Sequence, residues 1–412
     1  MYNAVFFIIL SIVIISFAFE KILEYLNLRH IFPTLPKEVE DVYDAENYKK
    51  SQLYKTVNAR FSLLTSSFSL CLILFMLFTG GFGWVNDLVF SLFTNYILIA
   101  LVFFGILMFA SDILTTPFSI YDTFVIEQRF GFNKMSPKTF IYDKFKGWLL
   151  GALIGGGLLA LIIWLFQLSG RYFWLLAWLS IGIFTILMTM FYSQIIVPLF
   201  NKQTPLEDGD LKKAIKDMAD KTGFKLDNVF VIDGSKRSTK ANAYFTGLGP
   251  RKRIVLYDTL INDLNTGEIV AVLAHEIGHY KKKHNLTGII SGLLETGLTL
   301  YLFSLLINNP ELSLALNVEE PNFHISLLAF GILYSPVSMV TGIFSSILSR
   351  RHEYQADRFA AENTDANLLI SALKKLSGKN LSNLTPHPAY VFFHYSHPTL
   401  LQRVKALSAL KN

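Results

Sequence analysis

One cysteine, Cys71, stands in 412 residues. It can close no internal disulfide, which excludes a disulfide scaffold and a thiolate zinc cluster. Charge is scarce as well: 17% of the chain is Asp, Glu, Lys or Arg, against roughly 25% in soluble proteins. The shortfall is concentrated in apolar runs at 4–19, 61–80, 89–111, 147–168, 172–200, 286–307 and 323–348. Most of these reach the ~20 residues a helix needs to cross a bilayer. The first run lacks a basic segment before it and a small-residue cleavage site after it, so it reads as a retained anchor. The expected class is an all-α multi-pass membrane protein with seven transmembrane helices.

Basic residues are missing from alternate connections. Residues 81–88 and 309–321 hold no Lys or Arg, and the turn after the fourth run holds only Arg171; the rest of the 37 lie between the first and second runs, between the third and fourth, in 201–284, and from Arg350 onward. Cytoplasmic loops carry the excess of positive charge. The N-terminus is therefore expected outside, and 201–284 and 350–412 inside. The net charge of +6 then reflects topology, with membrane lipids as the counter-surface. Without a nucleic-acid recognition motif, no nucleic-acid partner is expected. Four segments follow: 1–200 with five helices, 201–284 on the inner side, 285–349 with two helices, and 350–412 inside.

Within 205–222, Leu206, Leu211, Ile215, Met218 and Ala219 alternate with Lys and Asp as in an amphipathic helix. Val229–Ile232 and Ile254–Tyr257 are β-prone runs that suggest a small hairpin or sheet. Residues 262–284 read as a helix capped by Asn262 or Asn265 and ending at Lys281-Lys282-Lys283.

That helix carries His275-Glu276-Ile277-Gly278-His279. Histidines four residues apart lie about 400° apart around a helix, so both rings leave one face and can hold one Zn²⁺. Glu276 then falls beside the metal, placed to take a proton from water. A catalytic zinc site needs a third protein ligand and an open position, and the pattern with a third downstream histidine fails because Lys282 and Asn285 stand there. The best candidate is Glu353, in Arg350-Arg351-His352-Glu353-Tyr354-Gln355-Ala356-Asp357. Glu353 and Asp357 are also four apart, so one carboxylate can face the metal while the other holds the outer nitrogen of a ligand histidine. Arg350 is placed to anchor a carboxylate of this cluster. His284 is read as structural or as a support to the ligands. Glu295, near the middle of the sixth run, would cost about 2.5–3.5 kcal/mol facing lipid and is expected to face an interior or to be protonated.

Seven apolar runs, HExxH on the inner side after the fifth, and Arg-x-x-Glu-Tyr-x-Ala-Asp after the seventh together resemble the integral-membrane zinc metalloproteases of the CAAX prenyl protease family. The resemblance implies a seven-helix barrel around a large water-filled chamber, with a small α+β gluzincin-like protease domain and one zinc at its inner end. Asn242-Ala243-Tyr244-Phe245-Thr246-Gly247 resembles the family's edge-strand segment, whose Asn and Ala pair with the substrate backbone. Ser396-His397-Pro398 followed by Arg403 resembles its C-terminal segment, implying His397, and with it Arg403, for stabilising the developing oxyanion. The implied activity is a metalloendopeptidase working as a monomer near the C-terminus of prenylated or other membrane-associated peptides and proteins, its site toward the cytoplasm.

The connection between the sixth and seventh helices is short and acidic, and the chain ends in Lys411-Asn412. Both features favour a bacterial member in the inner membrane, with the endoplasmic reticulum as the eukaryotic counterpart, and they raise membrane-protein quality control without prenyl specificity as the alternative. Two rivals are weaker. An intramembrane protease would carry HExxH inside an apolar span, whereas three lysines follow it here; a transporter or scaffold with structural zinc would need four protein ligands.

Overall fold

The computed structural model describes residues 2–32, 34–226, 228–246 and 253–410. Gly247 and the terminal Lys411-Asn412 lie outside the described residues. Seven helices long and apolar enough to cross a membrane are present among the described residues: α1 (Ala4–Arg29), α2 (Ala45–Phe78), α3 (Tyr96–Phe130), α4 (Pro137–Ser169), α5 (Phe173–Phe200), α8 (His284–Leu306) and α9 (Phe323–Asn363). Helices α1, α2, α3, α4 and α9 extend well past their apolar runs because their polar ends continue as helix. The third apolar run is divided: residues 89–92 end a short helix, Gly81–Leu92, and α3 begins at Tyr96 behind the cap of Asn95.

Sequence neighbours are neighbours in a ring that closes where α9 packs on α1; α2 meets α3 through Phe61, Phe68 and Phe118. The ring is hollow. Only 6–17% of the residues in each apolar stretch are buried, whereas a solid bundle would bury the inward face of every helix. A Cβ added at Gly105, Gly155, Gly288, Gly292, Gly331 or Gly342 would meet no atom within 4 Å. At the end whose connections carry Arg171 as their single lysine or arginine, Gly81–Leu92 and Pro310–Leu314, with Leu316 just beyond, plug the barrel with Phe82, Val85, Val89 and Leu312 around Phe6 and Phe103. Glu295 of α8 is half-buried and accepts a hydrogen bond from Thr341 Oγ1 of α9 at 2.5 Å, so its carboxylate is held against a neighbouring helix.

At the other end stands a small α+β unit. Strands β1 (Gln203–Pro205), β2 (Asn228–Ile232), β3 (Ala243–Thr246) and β4 (Arg253–Tyr257) form one sheet in the order β1-β2-β4-β3. The two runs legible as strands are thus β2 and β4, and they pair in parallel, not as a hairpin; β1 and β3 pair antiparallel outside them. Ile254, Val255 and Leu256 are all buried, as a strand covered on both faces requires. Helices α6 (Asp210–Lys221) and α7 (Thr266–Lys281) cover the sheet through Ile215, Ala219, Leu273 and Ile277.

Asn265 caps α7 and forms a capping box with Glu268, which satisfies two otherwise orphaned amides. Asn262 falls in the preceding short helix, Asp258–Asp263. Helix α9 runs unbroken through residues 349 and 350, where composition suggested that membrane gives way to inner segment; one rigid rod carries Glu353 from the barrel wall into the inner unit. Helices α10 (Ala366–Lys379), α11 (Pro388–His394) and α12 (Leu400–Ala409) close the unit.

Candidate metal centre and active site

Helices α7 and α9 pack lengthwise, and the site lies where they touch. Gly278 allows the approach: a Cβ there would lie 3.1 Å from Ala356 Cα and 3.2 Å from Ala356 O. His275 Nε2 and His279 Nε2 stand 3.1 Å apart. Glu353 reaches them across the helix contact, Oε2 at 3.4 Å from His275 and Oε1 at 3.2 Å from His279. Glu353 is 3% exposed, and its Oε2 has no hydrogen-bond partner. A buried carboxylate oxygen without a donor is costly. Its convergence with two imidazole nitrogens is what a cation would resolve, and ligands about 2.0–2.2 Å from a tetrahedral Zn²⁺ would stand at similar separations. The three side chains therefore fit a metal ion, with nitrogen and oxygen donors of the kind zinc takes.

Each ligand-type histidine has its own support. Asp357, one turn beyond Glu353 and 1% exposed, lies 2.9 Å from His275 Nδ1. Burial alone would push the His275 pKa down; the carboxylates of Asp357 and Glu353 overcome it and raise the pKa to about 9. His279 Nδ1 faces His284 Nδ1 at 3.1 Å.

The two arginines differ from their expected partners. Arg350 does not reach a carboxylate of the cluster among the described residues. Its Nη1 donates to the carbonyls of Tyr395 at 2.5 Å and Val391 at 3.4 Å, holding the end of α11. The brace is Arg403, which folds back from α12. Its Nε and Nη2 donate to Asp357 at 2.8 and 2.5 Å, and Nη1 stands 3.5 Å from Glu353. With 11% of its side chain exposed, Arg403 is committed mainly to these carboxylates. A bidentate guanidinium fixes a carboxylate's plane as well as its charge.

A cavity of about 390 Å³ opens on the cluster, and Asn242, Ala243, Glu276, His397 and Arg403 share its wall. Glu276 makes no hydrogen bond among the described residues, which leaves its carboxylate free toward the cavity. His397 is 61% exposed, with Nε2 at 3.3 Å from Glu353 Oε1 and Nδ1 at 2.9 Å from Ser396 Oγ.

Strand β3 forms the edge of the sheet beside the cavity. Tyr257 N donates to the Asn242 carbonyl at 3.1 Å, and Ala243 stands opposite Leu256. Alternation in an antiparallel pair then turns the Ala243 amide and carbonyl to the open edge; the Asn242 side-chain oxygen accepts from that amide at 2.8 Å. The segment leading into β3 is tied to the barrel. Arg237 grips Asp143 of α4 at 2.8 and 3.0 Å, and Lys240 donates to Glu127 of α3 at 2.8 Å. These anchors carried no spacing signal in the sequence.

Residues 24–202 match the family model described as CAAX prenyl protease N-terminal, five membrane helices, and residues 205–411 match that of peptidase family M48. The chain belongs to the CAAX prenyl protease family. It is 38% identical to CAAX prenyl protease 1 of Saccharomyces cerevisiae, over 96% of this chain and 93% of that one. It is 32% identical to the human CAAX prenyl protease 1 homolog, over 93% and 91%. The crystal structure of S. mikatae Ste24p aligns with a TM-score of 0.93 and 38% identity, covering 98% of this chain and 99% of that one. As a member of this family the chain is a membrane-embedded metalloprotease acting on peptides or proteins. The bacterial origin suggested by the compact outer connection finds no support in these yeast and human relatives.

Proposed function

We propose that this chain is a zinc metalloendopeptidase that cleaves prenylated CAAX-type substrates near their C-terminus, as the CAAX prenyl proteases it resembles are named for doing. The reading rests above all on one observation: ligand atoms of His275, His279 and Glu353 lie within 4.8 Å of one another at the floor of a cavity bordered by an open strand edge. Those three residues hold the metal. Bound there, zinc would supply the Lewis acidity needed to polarise a scissile carbonyl and to make water nucleophilic near neutral pH.

The chain's own groups do the rest. A substrate strand pairs with β3 at Ala243, oriented by Asn242. Glu276 takes the proton of the attacking water and returns it to the leaving amine. His397, exposed over Glu353, donates to the developing oxyanion. Asp357 holds His275 and is itself held by Arg403, while Arg350 fixes the α11 backbone. Every group comes from one chain, in keeping with a functional monomer. The division at 200, 284 and 349 separates five barrel helices, the inner unit with HExxH, two further barrel helices, and the tail that completes the centre.

The cation distribution supports an N-terminus outside and a centre toward the cytoplasm, against anionic lipid headgroups, in the endoplasmic reticulum membrane of a eukaryote or the inner membrane of a bacterium. Glu276→Gln tests the chemistry. The variant should keep its fold and one zinc yet leave a farnesylated CAAX peptide uncut; turnover by the metal-loaded variant near the parent rate would refute the role of that carboxylate.

A further inference from the structure

His284 is 6% exposed and lies against the site without touching the cavity. We propose that it is a positioning residue for the metal centre, fixing the tautomer and aim of His279 through a hydrogen-bonded chain that ends on Gln355. The inference rests on the zinc reading above.

The chain has one consistent assignment. His279 Nε2 converges with His275 Nε2 and Glu353, so as a ligand it offers a lone pair there and carries its proton on Nδ1. That Nδ1–H points at His284 Nδ1, 3.1 Å away, which must accept. His284 is then neutral with its own proton on Nε2, and this donates to Gln355 Oε1 at 2.8 Å. Turning the Gln355 amide over would set its NH₂ against His284 Nε2, move the histidine's proton to Nδ1, and oppose two donors across 3.1 Å. Only the first arrangement leaves every member satisfied.

The backbone is shaped for this contact. On an uninterrupted helix, residues 279 and 284 would lie about 140° apart. Helix α7 instead ends at Lys281, Lys283 takes the left-handed conformation with φ 60°, and α8 starts at His284. The break swings the ring back over His279. His352 of α9 stacks on it at 4.0 Å and 8°, setting its plane. The two ligand histidines thus have different supports: a carboxylate braced by arginine behind His275, and a neutral imidazole–amide chain behind His279. Helix α9 furnishes Glu353, Asp357, Gln355 and His352, so ligand and supports move together.

Chelator competition on the detergent-solubilised full chain tests this. His284→Phe keeps the stacked ring but removes the acceptor, and zinc should bind about 10–100-fold more weakly. His284→Asn places a side-chain oxygen where Nδ1 stood and should recover most of the loss. Gln355→Leu leaves the imidazole in place, frees its tautomer, and should weaken zinc in the same direction even if the phenylalanine variant fails to fold. Parent affinity in Gln355→Leu, or in a folded His284→Phe, would overturn the proposal, as would an asparagine variant as weak as the phenylalanine one. His279→Ala separates the two readings: if it holds zinc like the parent, the ligand assignment fails; if it loses zinc while His284→Phe does not, only the role of His284 fails.

Discussion

At His275 two large effects oppose one another, and the carboxylates win. Burial favours the neutral ring, but Asp357 and Glu353 raise the pKa from 6.5 to about 9. A folded-state pKa above the unfolded one means that the stabilisation is complete below about 6.5 and is lost as pH rises through about 9. Near pH 7.5 the metal-free protein therefore holds a proton on His275 that a metal must expel. Zinc titrations in buffers of different ionisation enthalpy should show proton release, with affinity rising with pH; a heat independent of buffer would contradict this. The HExxH pair and the Glu353–Asp357 pair were legible because their spacing is local to single helices. The arginine partners were not. Arg403 meets Asp357 only because α12 folds back across the site, and nothing in the residues around Arg403 encodes that contact.

Elements set the tolerances that these residues need. Gly278 lies inside the HExxH helix, and its missing Cβ lets α7 and α9 touch at Ala356 and Phe359. Gly278→Val would wedge the helices apart and move Glu353 away from the histidines without changing any ligand. A displacement near 1 Å can cost about 10²-fold in rate, so kcat/KM should fall by at least that order and zinc content should drop with it. Parent kinetics in a folded Gly278→Val would show that the close approach is dispensable. The capped α7, the amphipathic α6 and the strands β2 and β4 could be read from pattern. The sheet order could not, because β1 spans only three residues and the parallel pairing of β2 with β4 is a long-range choice. Nor could the continuity of α9, since a change from apolar to charged composition does not itself end a helix.

The whole molecule joins a hollow seven-helix barrel to a protease unit at its basic end. Spans were visible as apolar runs, because the bilayer imposes a length rule on sequence. The hollow interior came only from the family resemblance and the hint of Glu295, since an apolar run does not say which of its faces meets lipid; the partner of Glu295, Thr341, required the fold. The unit is fastened through Arg237 to Asp143 and Lys240 to Glu127, so the open edge of β3 keeps a fixed place relative to the barrel that would receive a membrane-bound substrate. The most direct test supplies the purified, zinc-loaded protein with a farnesylated CAAX peptide and its unprenylated twin and maps the cuts by mass spectrometry. A prenyl-directed protease should cut the farnesylated peptide near its C-terminus and leave the twin largely intact. Equal cleavage of both would contradict prenyl specificity in favour of general membrane-protein proteolysis, and cleavage of neither would contradict the proposed function.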